Sequence, residues 1–206
     1  MTENQAKPIL HHLFIIEEST PIDHAKQNIF NGLNDILMRI SIIARERKAY
    51  HQRVTVATYS GIGMKLISYN KDMANAYPLY CDDFDSSAPA SLIDCLGTII
   101  GMIRALNHHK EMVSVTILSS QSNQTSRKYC ISSIKLMIQA LKRNGWTFNY
   151  VSTDRLTDSY AKALSIDDIF RLKSLSRDDG RLKELLHTIA INKIEKCIGH
   201  KHGQAA

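Results

Sequence analysis

Apolar residues along this chain follow two alternating rhythms. Short runs in which nearly every residue is apolar alternate with longer stretches in which apolar positions recur at three- and four-residue steps. The first rhythm belongs to strands buried on both faces, the second to amphipathic helices. Residues 12–16 form the first apolar run and read as a buried strand. Residues 22 to about 49 read as one long helix, because Ile22, Ile29, Leu33, Ile36, Ile40 and Ile43 fall on one stripe. Pro21 stands at its start, where a missing N–H costs nothing. Residues 53–60 and 64–69 are strand-like and joined across Gly61-Ile62-Gly63, which predicts a hairpin.

Residues 91–107 predict a second helix, with Leu92, Leu96, Ile99, Ile103 and Leu106 on one face. Another buried strand follows at 112–118, and a third helix at 129–143 is stopped by Asn144-Gly145. A strand at 146–151, a short helix at 157–164, a last strand at 169–172 and a closing helix from 181 to about 198 complete the pattern. Strands that alternate with helices in this way predict a largely parallel sheet covered by helices. At 206 residues one domain is expected, over 10–199, with flexible termini at 1–9 and 200–206.

Composition narrows the function classes. Hydrophobic content of 44% and charged content of 22% are ordinary for a globular protein with a sizeable core. The net charge of +6 is spread over 39–53, 127–143 and 171–201 without a dense basic block, so it argues only weakly for a nucleic-acid partner. No apolar run approaches the ~18 residues a spanning helix needs, and the N-terminus lacks the basic start of a signal peptide. No membrane partner and a cytoplasmic location are therefore expected. Cys81, Cys95, Cys130 and Cys197 lie far apart and read as reduced thiols, with Cys95 and Cys130 buried on helical faces.

Several stretches carry candidate chemistry. "FIIEESTPI", 14–22, ends an apolar run in Glu17, Glu18, Ser19 and Thr20, all oxygen donors. Ser19 and Thr20 suit a cap on the long helix, with the two carboxylates near its positive N-terminus. The acidic loop 81–89 reads as a solvated loop, the alternative being that it presents Asp82, Asp83 and Asp85 beside Glu17 at the same sheet edge. Gly61-Ile62-Gly63 is too short for a phosphate loop, and no G-x-S-x-G nucleophile turn occurs. The serine pairs at 86–87, 119–120 and 132–133 read as ordinary loop or helix residues. Cys197-x-x-His200-x-His202 lacks a fourth zinc ligand, His11-His12 reads as a pair opening the first strand, and His108-His109 as a helix end. The segment 44–53, basic with a tyrosine, reads as the solvated end of the long helix.

The element order, together with "AKALSIDDIFRLKS" at 161–174, resembles the von Willebrand factor A-like (VWA) domain of bacterial cytoplasmic proteins over residues 10–199. The resemblance implies a three-layer α/β/α, Rossmann-like, doubly wound sheet of about six strands, mostly parallel with one antiparallel edge strand. It also implies a metal-ion-dependent adhesion site built from Asp-x-Ser-x-Ser, a Thr in a second loop and an Asp in a Thr-Asp-Gly turn. Mg²⁺ wants six oxygens in near-octahedral geometry. Here Glu17 stands for the Asp, Ser19 for the first Ser, Pro21 for the second, Ala90 for the Thr and Ser120 for the turn Asp. Ser87 or Ser91 would take the place of Ala90 if the second motif slips in register.

Such a degenerate set implies no cofactor, or at most weak Mg²⁺ or Mn²⁺. The resemblance therefore implies a non-enzymatic protein-interaction module, metal-independent and part of a larger assembly. Its expected partner surface is Glu17, Glu18, Ser19, Thr20, Asp83, Asp85, Ser120 and Gln121. Two other readings stay open at this point: a divergent metal-dependent hydrolase or phosphotransferase using Glu17 and nearby Asp residues, and a nucleic-acid-associated subunit.

Overall fold

The computed structural model describes residues 7–46, 50–75, 78–80, 84, 91–106, 111–120, 126–152, 155–172 and 179–202. Six strands, β1 (Ile9–Glu17), β2 (His51–Ser60), β3 (Gly63–Asp72), β4 (Glu111–Ser119), β5 (Thr147–Ser152) and β6 (Asp168–Arg171), form one sheet in the order β3-β2-β1-β4-β5-β6. All neighbours run parallel except β2 and β3, which are joined by the Gly61-Ile62 turn. The expected doubly wound sheet with one antiparallel edge is thus present.

The helices are α1 (Thr20–Asp23), α2 (Lys26–Glu46), α3 (Leu92–Ala105), α4 (Ile131–Arg143), α5 (Arg155–Ala163) and α6 (Asp179–His202), with a 3₁₀ turn at Met73–Asn75. Side chains of a strand alternate between faces. Leu10, Phe14 and Ile16 of β1 enter a core with α2 and α6, whereas Leu13 and Ile15 enter a second core with α3 and α4.

Four expectations change. The long helix is two, interrupted at His24 and Ala25, where the Ala25 N–H reaches back to Ile22 C=O (3.0 Å) and the Ala25 C=O accepts from Ile29 N–H (2.9 Å). Ile22 and Ile29 stay on the buried side of the break, so their spacing did not reveal it. The first strand starts at Ile9, which puts His11 and His12 inside it. Both are buried, His11 Nε2 lying 2.8 Å from Thr55 Oγ1 and His12 Nε2 3.2 Å from Gln52 Oε1. Cys95 is buried, but Cys130 is exposed. Its backbone is extended (φ −93°, ψ 152°), so α4 begins one residue later and the thiol sits at the helix N-cap rather than on the buried face. Finally, the closing helix, expected to end at about 198, continues to His202.

Candidate functional site

The sheet grows leftwards from β1 through β2 and rightwards through β4, so the carboxyl ends of β1 and β4 form its switch point. Ligands of open α/β sheets bind in the crevice at such points. Glu17 is the last residue of β1 and Ser119 the last of β4. Glu17 Oε2 accepts from the Ser119 hydroxyl (2.7 Å) and from the Ser120 backbone N–H (2.7 Å). One carboxylate oxygen therefore fastens the two strand ends together. Charge-assisted bonds of this kind are among the stronger hydrogen bonds of a fold.

One residue further along, the Glu18 N–H donates to Tyr59 C=O (2.7 Å), and its carboxylate lies 4.0 Å from Lys65 Nζ. Ser19 Oγ lies 2.8 Å from Ser120 Oγ, a second tie across the crevice, while its C=O accepts from Asp23 N–H to open α1. The hydroxyl expected to cap the helix thus faces β4 instead. Pro21 occupies the first turn of α1, as its missing N–H allows.

The Glu17 charge acts on two tyrosines, Tyr59 of β2 and Tyr150 of β5. Burial and the Glu17 charge hold the Tyr59 phenol well above its ordinary pKa, and burial does the same for Tyr150, where the Ser119 hydroxyl partly opposes it. Both rings stay neutral at any physiological pH. The site therefore has two buried carboxylates, Glu17 among hydroxyls and Glu18 beside Lys65.

This geometry corrects the expected partner surface. Glu17, Glu18 and Ser19 are 0%, 2% and 2% exposed, so they form the floor of the crevice, with Ser120 partly exposed above them. Glu17 shares the parity of Leu13 and Ile15 and so faces the α3/α4 side of a sheet that is covered on both faces. Ser119, read as an ordinary loop residue, is a buried partner of that carboxylate. Ala90, Asp83, Asp85 and Gln121 lie outside the described residues, as do the side chains of Thr20 and Pro21. Ser91, the alternative to Ala90, caps α3: its Oγ accepts from Asp94 N–H (3.2 Å). Among the described residues the oxygen donors near the crevice are the carboxylates of Glu17 and Glu18, both already engaged, and the hydroxyls of Ser19, Ser119 and Ser120, all hydrogen-bonded, and no three His, Cys, Asp or Glu side chains come together as a metal cluster. That falls short of six oxygens around Mg²⁺.

A further feature escaped the sequence reading. The Asp94 carboxylate, on the first turn of α3, accepts from Ser126 Oγ (2.6 Å) and from the backbone N–H groups of Arg127 (2.8 Å), Lys128 (3.0 Å) and Tyr129 (3.0 Å). Partial burial pushes its pKa up, but these four donors outweigh that and hold it at about 2. The clasp fixes the approach to α4 against α3, with the Tyr129 ring laid over Gly97. Ser91-x-x-Asp94 has capping-box spacing, which could have marked the cap but not the outward reach of the carboxylate.

Solved structures decide the architecture. A pilus adhesin, SpaC from Lactobacillus rhamnosus GG, superposes with a TM-score of 0.65 at 10% identity, over 91% of this chain and 30% of that one. Proximal thread matrix protein 1 of the mussel byssus does so at 0.57 and 9%, over 89% of this chain and 48% of that one. This is a von Willebrand factor A-like fold. The N-terminal domain of TFIIH p34 matches at 0.51 and 12%, over 86% of this chain and 97% of that domain. The mussel protein has also been solved with a zinc-occupied MIDAS motif. The chain spans about half the length of the mussel protein and under a third of the adhesin. No protein-family model matches the sequence, and no curated protein is a sequence relative. At such identities the VWA-like likeness is one of fold.

Proposed function

We propose that this chain is a non-enzymatic protein-interaction module, a subunit of a larger assembly, that binds another protein at its strand-end surface without needing a metal. The observation that carries this reading is the state of Glu17. The carboxylate standing where the VWA-like pattern has its leading metal ligand is turned inward and holds β1 to β4 through Ser119 and Ser120. What the site keeps is a rigid platform at the sheet's switch point. The fold is shared with an adhesin, a thread matrix protein and a domain of TFIIH p34, which favours a protein as the partner. Ser119 and Glu17 have the atoms of a nucleophile and a base, but Ser119 is 1% exposed, which speaks against attack on a substrate.

The test is affinity capture from the native organism with the full chain, with and without EDTA, alongside Ser120→Arg. Partners retained in chelator and lost with Ser120→Arg are expected. Capture of no partner, together with turnover of a phosphoester that Glu17→Ala abolishes, would overturn the reading. Calorimetric titration with Mg²⁺ and Mn²⁺ checks the metal separately. Micromolar binding that disappears in Ser19→Ala would make the module metal-dependent.

A further inference from the structure

Beside the crevice, on the β2 side, a cleft of about 360 Å³ opens between the β2–β3 hairpin and the first two turns of α3. Tyr59 and Cys95 form its floor, Thr98 and Met64 its walls, and Arg127 lines it from the clasped segment that leads into α4. The hairpin overhangs this cleft with apolar surface. Ile62 is 71% exposed and Leu66 is 39% exposed, the latter paired with Ala57 on the α3 side of the sheet. β3 is an edge strand, so nothing in the sheet lies beyond it.

Among the described residues that line the cleft, Arg127 is the one cation. Arg127 is exposed and has no ion pair among the described residues, and Lys65 and Lys128 are exposed on the neighbouring hairpin and clasp. Of the described carboxylates nearby, Glu18 is buried beside Lys65, and Asp94 keeps its charge but already accepts four hydrogen bonds, none of them from the Arg127 guanidinium. A guanidinium beside an apolar shelf suits a carboxylate flanked by a large apolar side chain, since Arg pairs carboxylates in bidentate fashion and anchors interfaces.

We propose that this cleft receives an acidic, apolar peptide segment of the partner protein, with its carboxylate on Arg127 and its apolar side chain against Ile62 and Met64. The proposal rests on the interaction-module reading and names the chemistry of its partner. The backbone of residues 126–129 is held by Asp94 before the partner arrives, so at this position only the Arg127 side chain has to order on binding.

The probe is a library of random nonapeptides displayed on phage and panned against the full chain, with Arg127→Glu and Ile62→Asp as variants. Both positions are exposed, and circular dichroism checks that the variants fold. Selected peptides are expected to place Asp or Glu next to Leu, Ile, Phe or Trp, and to bind each variant about tenfold or more weakly. Neutral or basic selected sequences, no selection at all, or unchanged binding to both variants overturns the proposal. If a partner captured from the native organism survives Arg127→Glu and Ile62→Asp but is lost with Ser120→Arg, the module reading stands and the cleft is wrong. If capture fails for the parent chain as well, the reading itself falls.

Discussion

Adding one methyl group at Gly97 tests whether the clasp is a rigid part of the fold. An ideal Cβ there would stand 2.5 Å from Tyr129 Cδ2 and Cε2 and 2.7 Å from Cγ, well inside van der Waals contact. Tyr129 has little room to yield. Its N–H is bonded to Asp94 Oδ1 (3.0 Å), and its ring is packed against the α3/α4 core. Two effects compete. Gly→Ala within a helix gains about 1 kcal/mol of propensity, and overpacking a fixed contact costs about 1–3 kcal/mol.

With the ring contacted at three atoms, we expect the cost to win by about 1–2 kcal/mol, which lowers Tm by roughly 2–8 °C for a chain of this size. In the Tyr129→Ala background the clash is gone, and Gly97→Ala should stabilise by up to about 1 kcal/mol. Urea denaturation of the four members of this cycle reads both signs. Gly97→Ala that stabilises the parent chain, or that shifts both backgrounds equally, would refute the reasoning.

Glu17→Ala leaves the Ser119 hydroxyl and Ser120 N–H without their acceptor and should cost about 2–4 kcal/mol, seen as a lower urea midpoint at unchanged slope, with Glu17→Gln intermediate; an unaltered midpoint refutes the strand-end tie. Burial, opposed by the Gln52 bond and aided by the His11 and Lys193 charges, lowers the His12 pKa from 6.5 to about 4. The folded state therefore resists a proton that the unfolded chain takes up, so stability is full above pH 6.5 and falls by about 3 kcal/mol as pH drops to 4, a slope that His12→Asn should remove. Cys130 is exposed and its thiol is lowered to about 7 by the Ser132 and Ser133 hydroxyls, whereas burial pushes Cys95 up. Ellman's reagent at pH 7 should therefore lose one fast equivalent in Cys130→Ser and none in Cys95→Ser.

The helical stripe of Ile29, Leu33, Ile36 and Ile40 was legible because burial on one face imposes a period that the residues keep. The interior strands were legible because both faces are covered, which leaves continuous apolar runs. Strand ends were not, since Ile9 to His11 and Ser119 look like flanking residues until their partners are known. The same one-residue uncertainty decided the site. Ending the first strand at Ile16 left Glu17 in a loop and read it as a surface ligand, whereas extending the strand by one keeps the parity of Leu13 and Ile15 and turns it inward. Asp94 was invisible for another reason, because its partners lie 32 to 35 residues downstream, beyond any local pattern.

The central place of β1 has a consequence for how the chain acquires its structure. β1 pairs with β2 through Ile9↔His51 and with β4 through Ile9↔Glu111, so its second edge is completed only by a segment made much later. A ribosome releases residues in order, at about 5–20 per second. For several seconds the nascent β3-β2-β1 half would therefore offer a bare apolar edge and an uncovered Leu13–Ile15 face, the surface most open to misassociation.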